Sequence, residues 1–251
     1  MTQPRYALAA AVAAVLLANA TPAVAAPVTG RLTVSAASSL TDAFPALAKG
    51  FKRAHPGVRV TFNFAGSSAL VAQVDAGAPV DVIATASQRT LQPLVDAKLV
   101  RTPVVFAGNA LRVIVPAANT AGLTTIKDLA KPNLRVAICA AAVPCGAAAT
   151  QLFARNNLRV TPATLELDVR SVLGKVVADE VDAGVVYATD ATAAGKQVKV
   201  IPVPAQRNVT TKYPIAVVAA SSNTAAAKAF VDYVRSTAGQ KALRAHGFAR
   251  A

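Results

Sequence analysis

The stretch from Arg31 to Phe64 reads RLTVSAASSLTDAFPALAKGFKRAHPGVRVTFNF, and its changes of periodicity decide the fold class. Arg31-Leu32-Thr33-Val34-Ser35 has the short, β-branched character of a strand. Leu40, Phe44, Leu47, Ala48 and Phe51 then recur at helical spacing, which places them on one apolar face. Val58 to Phe64 returns to a two-residue period. Strand, helix and strand in such short succession predict a parallel pair joined by a crossover helix.

The alternation continues outward. Leu70, Val71 and Val74 mark a second helix, stopped by Gly77 and Pro79. Val80 to Ala84 is a strand that is apolar except for Asp81, and Thr90 to Ala97 is a helix. A second set starts near Asn109, with strands at Ala110–Val115, Leu134–Cys139, Ala183–Tyr187, Val198–Val203 and Tyr213–Ala219. Its helices are Thr125–Leu129, Gly146–Asn156 and Val169–Ala178, and Ala225–Arg235 and Gln240–Ala245 close the chain. The expected fold is α/β with two lobes, each a mainly parallel sheet flanked by helices. Lobe 1 comprises residues 27–108 and 214–251, lobe 2 residues 109–213, and the runs 109–116 and 213–219 are the crossing points. Ligand belongs between the lobes, at the carboxyl ends of the strands.

Residues 1–25 read as a cleavable secretion signal. Arg5 supplies a positive start, Ala7 to Ala20 an apolar core, and Ala23-Val24-Ala25 a small-x-small cleavage pattern. Asn19, Thr21 and Pro22 interrupt the run before the roughly 20 residues that a membrane span needs. About 225 residues remain after cleavage, enough for one large domain or two lobes. The net charge of +14 is spread along the chain, with no basic block longer than Lys52-Arg53, no Trp and no nucleic-acid motif. Nucleic-acid binding is therefore not expected, whereas a diffuse positive field favours anionic ligands.

Cys139 and Cys145 are the only cysteines. Export to an oxidising compartment predicts a disulfide between them, with two buried thiols as the alternative. A metal site has little support, because His55 and His246, the only histidines, lie far from this loop in sequence.

Three strand-to-helix turns carry small residues at helix starts: Ser35 to Asp42, Phe64 to Leu70, and Val143 to Gly146. In the first, Ser39 is expected as an N-cap with Asp42 completing a capping box. A helix start exposes free backbone N–H groups and a partial positive charge, which suit an anion. Each turn taken alone reads first as an ordinary cap; the three together point to an oxyanion site.

The runs Val34 to Ala43, Phe64 to Leu70, Asp75 to Asp81 and Ala183 to Ala191 resemble the molybdate-binding periplasmic proteins of ABC importers. The resemblance extends over nearly the whole chain after the signal, down to Gly247-Phe248. It implies five ligand positions: the hydroxyls of Ser39, Ser67 and Tyr187, and the backbone N–H groups of Cys145 and Val169. Cys145 departs from the alanine common there, and a backbone donor tolerates that change. A Cys139–Cys145 bridge would then stiffen a ligand loop. No catalytic residue and no cofactor are implied. Molybdenum would enter only inside the bound oxyanion, molybdate or tungstate, and a membrane permease and its ATPase are the implied partners of a periplasmic monomer.

Asp168 and Arg170 flank Val169 either as supports of the site or as a solvated surface pair. The rival readings are a binder of sulfate, phosphate or a small organic anion, and a serine hydrolase. The hydrolase has little support, because the chain has neither a Gly-x-Ser-x-Gly elbow nor a Ser-x-x-Lys spacing.

Overall fold

Among the described residues, alternating apolar and β-branched runs form nine strands, and the helices between them cover their faces. The structure, a computed structural model, describes residues 27–251. The secretion signal expected at residues 1–25 falls outside the described residues. The first half is β1 (Gly30–Ala37), α1 (Ala43–Ala54), β2 (Val58–Ala65), α2 (Ser67–Asp75), β3 (Val82–Ala84) and α3 (Gln88–Asp96). The long strand β4 (Val104–Pro116) leads to β5 (Val136–Cys139), α4 (Pro144–Arg155), β6 (Thr164–Glu166), α5 (Val169–Val177), β7 (Ala183–Tyr187), α6 (Ala188–Ala194) and β8 (Val198–Ile201). Strand β9 (Thr210–Val217) returns to α7 (Thr224–Arg235) and α8 (Thr237–Ala245).

The strand order is β2-β1-β3-β9-β4-β7-β5-β6, with β8 also on β4. Each half keeps a parallel core, β2-β1-β3 in one and β7-β5-β6 in the other. The antiparallel pairings all involve β4 or β9. The reason is topological. Strand β4 pairs with β9 over Val104–Ala110 and with β7 over Leu111–Ile114, so it leaves one half-sheet and enters the other. Strand β9 makes the return trip and must run the opposite way.

Helix α1 shows how the periodic face is used. Phe44, Leu47 and Phe51 are fully buried, and Phe44 and Phe51 meet Phe230 of α7 edge-on at 5.8 and 5.2 Å. Two short elements escape the sequence reading. Strand β6 has three residues and no buried one, hence no period to detect. Helix α6 continues from β7 without a break, and its alanines carry no stripe of large apolar residues.

Candidate anion site

Four chain turns converge on one cavity between the two halves. Its walls are Ala37, Ser38 and Ser39 after β1, Gly66 and Ser67 at the start of α2, Val143, Pro144 and Cys145 at the start of α4, and Leu167, Asp168 and Val169 at the start of α5. Ala86 and Tyr187 complete it. All five residues implied by the resemblance, Ser39, Ser67, Cys145, Val169 and Tyr187, therefore line one cavity, and none is more than 5% exposed. Its interior leaves only about 10 Å³ for the centre of a water-sized sphere, about the room one water needs, so the cavity as it stands is tightly closed and suits only a very small ligand.

The local chemistry follows from how each turn is built. Helix α2 starts at Ser67, and the first intrahelical bond taken from Gly66 belongs to Leu70 N–H. Helix α4 starts at Pro144, which has no N–H to lose there, and Ala147 N–H is the one that reaches back to Val143. Cys145 and Val169 lie in first helical turns, where amides have no partner four residues back. Gly146 is needed at its position. A Cβ there would lie 2.0 Å from the Ala140 oxygen, because the Cys139–Cys145 disulfide loop folds tightly against the helix start.

The capping box expected at Ser39 and Asp42 does not form. Ser38–Leu40 is a separate 3₁₀ turn, α1 begins at Ala43, and Asp42 makes no cap bond. Ser39 Oγ instead meets Tyr213 Oη at 2.9 Å, inside the protein. Ser67 Oγ accepts Ala86 N–H at 3.0 Å, which leaves its own hydrogen free for the cavity. Tyr187 Oη is buried with no hydrogen-bond partner among the described residues. The Thr211 and Tyr213 hydroxyls lie near it without bonding geometry. Burial is the main force holding the Tyr187 phenol well above its usual range, so it stays a neutral donor.

No Lys or Arg lines the cavity. Asp168 is the one charged lining residue, and its carboxylate turns back to cap α5, accepting Arg170 N–H at 2.7 Å and Ser171 N–H at 3.1 Å. Arg170 stands behind the site rather than in solvent. Its guanidinium pairs with Asp42 of the first half and, at 2.9 Å, with the fully buried Asp190. Burial raises the Asp190 carboxyl to about 7, against the pull of Arg170 and of the Tyr187 N–H that it accepts at 3.1 Å. A further contact closes the mouth, from Ser68 Oγ to Ala142 O at 3.0 Å. Gly66 packs against the Leu167 carbonyl so closely that a Cβ would sit 2.3 Å from it.

Sequence reasoning missed Asn109, Asp190 and Tyr213 as parts of this environment, and gave Asp42 a capping role in place of its pairing with Arg170. Asp190 in an alanine-rich helix and Asn109 beside an apolar strand are polar residues in apolar company, and that was the only available signal.

A small cavity of neutral hydroxyl and amide donors beside helix N-termini has the chemistry to accept a small oxyanion. Residues 32–249 match the family profile described as bacterial extracellular solute-binding protein, and the chain belongs to that family. The chain is also similar to "Molybdate-binding protein ModA" of Mycobacterium tuberculosis, 36% identical over 220 residues, 87% of this chain and 84% of the relative. The "periplasmic molybdate-binding protein" of Azotobacter vinelandii superposes with a TM-score of 0.77 at 20% identity, covering 88% of this chain and 99% of that one. The sulfate-binding protein SubI of M. tuberculosis reaches the same TM-score at 21% identity, covering 87% and 86%, which shows a shared fold only. Among the described residues no helix is long and apolar enough to cross a membrane.

Proposed function

We propose that this protein is the exported, non-catalytic solute-binding component of an ABC importer, and that it captures molybdate and delivers it to a membrane permease. The ligand is held by the hydroxyls of Ser39, Ser67 and Tyr187 and the N–H groups of Cys145 and Val169. The observation that carries this reading is the cavity itself, where these five meet with no cationic side chain. A tetrahedral dianion offers four acceptor oxygens, and neutral donors at set positions select for its size. A smaller anion leaves donors unpaired, at about 1–3 kcal/mol each. Tungstate, close to molybdate in size, binds on the same donors.

The two halves act as lobes, residues 27–108 with 214–251 and residues 109–213, hinged where β4 and β9 cross. Ligand favours the closed form through contacts that exist only when both lobes touch it. The protein works as a periplasmic monomer after removal of residues 1–25, and the permease with its ATPase receives the closed complex. Against a hydrolase, Ser39 Oγ is engaged by Tyr213. His246 does line a neighbouring cleft with Ser39 and Asp42, but no hydrogen bond links the three.

The test is calorimetric titration with molybdate, tungstate, sulfate and phosphate. Heat from molybdate and tungstate alone is expected, and heat from sulfate without molybdate overturns the assignment. Ser39→Ala and Ser67→Ala each weaken molybdate binding; unchanged affinity in both moves the site elsewhere.

A further inference from the structure

A buried polar chain runs from the lobe crossing to the cavity. Asn109 sits in β4 where that strand pairs with β9, and its Nδ2 donates to Thr189 Oγ1 at 3.0 Å and to Tyr213 Oη at 3.3 Å. Tyr213, in β9, meets Ser39 Oγ at 2.9 Å. Asn109, Tyr213 and Ser39 are each no more than 2% exposed, so water does not compete for these bonds. Tyr213 is pinned by three edge-on aromatic contacts, with Phe248 at 5.3 Å, Tyr187 at 5.8 Å and Phe106 at 6.3 Å.

The direction of the chain follows from counting hydrogens. Both Asn109 N–H hydrogens are committed, and its Oδ1 is left buried without a partner. The reversed amide would orphan two N–H donors in place of one carbonyl, and buried orphan donors are the rarer and costlier case. Tyr213 Oη thus accepts from Asn109, and its single hydrogen is free to go to Ser39 Oγ. Burial keeps the Tyr213 phenol protonated, with its pKa well above the usual value. Ser39 Oγ, having accepted, turns its own hydrogen toward the cavity it lines.

We infer that Asn109 and Tyr213 are positioning residues that make Ser39 an obligate donor, and that they set the site's preference for fully deprotonated oxyanions over hydrogen-bearing ones. This rests on Ser39 being a ligand donor. Ser67 is turned the same way by Ala86 N–H. A bound oxygen that carries a hydrogen, as in hydrogen phosphate, then faces two hydroxyls that both need to donate and loses at least one bond. Molybdate, tungstate and sulfate carry no such hydrogen at neutral pH, so the chain separates ligands by protonation state and leaves size to the cavity walls.

The test compares Tyr213→Phe with the wild type by calorimetry at pH 8, using molybdate directly and hydrogen phosphate as competitor. The expected result is a molybdate Kd about five- to tenfold weaker, the weight of one net hydrogen bond. Hydrogen phosphate loses nothing, so the preference for molybdate narrows by the same factor. Unchanged molybdate affinity, or equal losses for both anions, overturns the inference. Neutron diffraction from the deuterated wild type with molybdate reads the chain without any variant. Deuterium on Tyr213 Oη directed at Ser39 Oγ supports it, and deuterium directed at Asn109 overturns it. Ser39→Ala separates the two claims: full molybdate affinity in that variant removes Ser39 from the site, whereas a loss there with none in Tyr213→Phe removes only the relay.

Discussion

Gly66→Ala probes closure of the cleft without altering a proposed donor. Gly66 has φ −58° and ψ 136°, which alanine adopts freely, so the backbone is not the obstacle. The obstacle is the opposite wall: the added Cβ lies 2.3 Å from the Leu167 oxygen and 3.3 Å from its carbonyl carbon. Ordinary contact begins at 3.4 Å, so the segment carrying Leu167 and Asp168 must retreat by about 1 Å. The Val169 amide, next in the chain after Asp168, retreats with it. A hydrogen bond of about 2.9 Å lengthened by about 1 Å is lost. One lost bond to a charged ligand costs about 1.5–3 kcal/mol, or roughly 10- to 10²-fold in affinity. The unliganded protein should melt within a few degrees of the wild type, because a Gly→Ala exchange ahead of α2 costs at most about 1 kcal/mol. Titration calorimetry with molybdate reads the first number and scanning calorimetry of the apoprotein the second. A Kd within threefold of the wild type, with an unchanged apo melting temperature, refutes the idea that approach of Gly66 to Leu167 completes the site.

Three other outcomes follow from the same environment. Tyr187→Phe removes a buried hydroxyl that has no protein partner, so the apoprotein should be at least as stable while molybdate binding weakens by tenfold or more; apo melting and titration together check this. The Asp190 carboxyl sits near 7 in the folded protein, above its value in an unfolded chain, so the folded state holds the proton more tightly. Its stabilising contribution is full below about pH 4 and lost as pH rises toward 7. Melting of the wild type relative to Asp190→Asn should therefore shift in the variant's favour across that window, and a pH-independent difference refutes the assignment. Opening the Cys139–Cys145 bridge, which closes a seven-residue ring, should cost about 2 kcal/mol on the loop-entropy estimate, and Cys139→Ala/Cys145→Ala should melt correspondingly lower.

The strands and helices were legible because their signals are local. The apolar face of α1 and the alternation in β2 can be read within a dozen residues, and both elements form where the periods place them. Two of the three expected helix starts, at Ser67 and Pro144, form where the local signals place them. The capping box at Ser39 was misread because it assumed the nearest partner. Once the chain folds, a tyrosine hydroxyl 174 residues away pairs with that serine in place of the local cap. Asp190 and Arg170 illustrate the same limit, since an ion pair reaching a fully buried carboxylate depends on how α5 and α6 pack.

The sequence by itself determined an α/β chain with short turns ahead of its helices and two cysteines within one loop. Periodicity, capping and loop length are properties of neighbouring residues, and neighbours are what a sequence records. Tertiary structure alone decided that four of those turns face a single cavity, that Gly66 must lack a side chain, and that Tyr213 and Asn109 stand behind Ser39. Those facts depend on where β4 and β9 cross, and burial there removes the water that would otherwise satisfy each group separately.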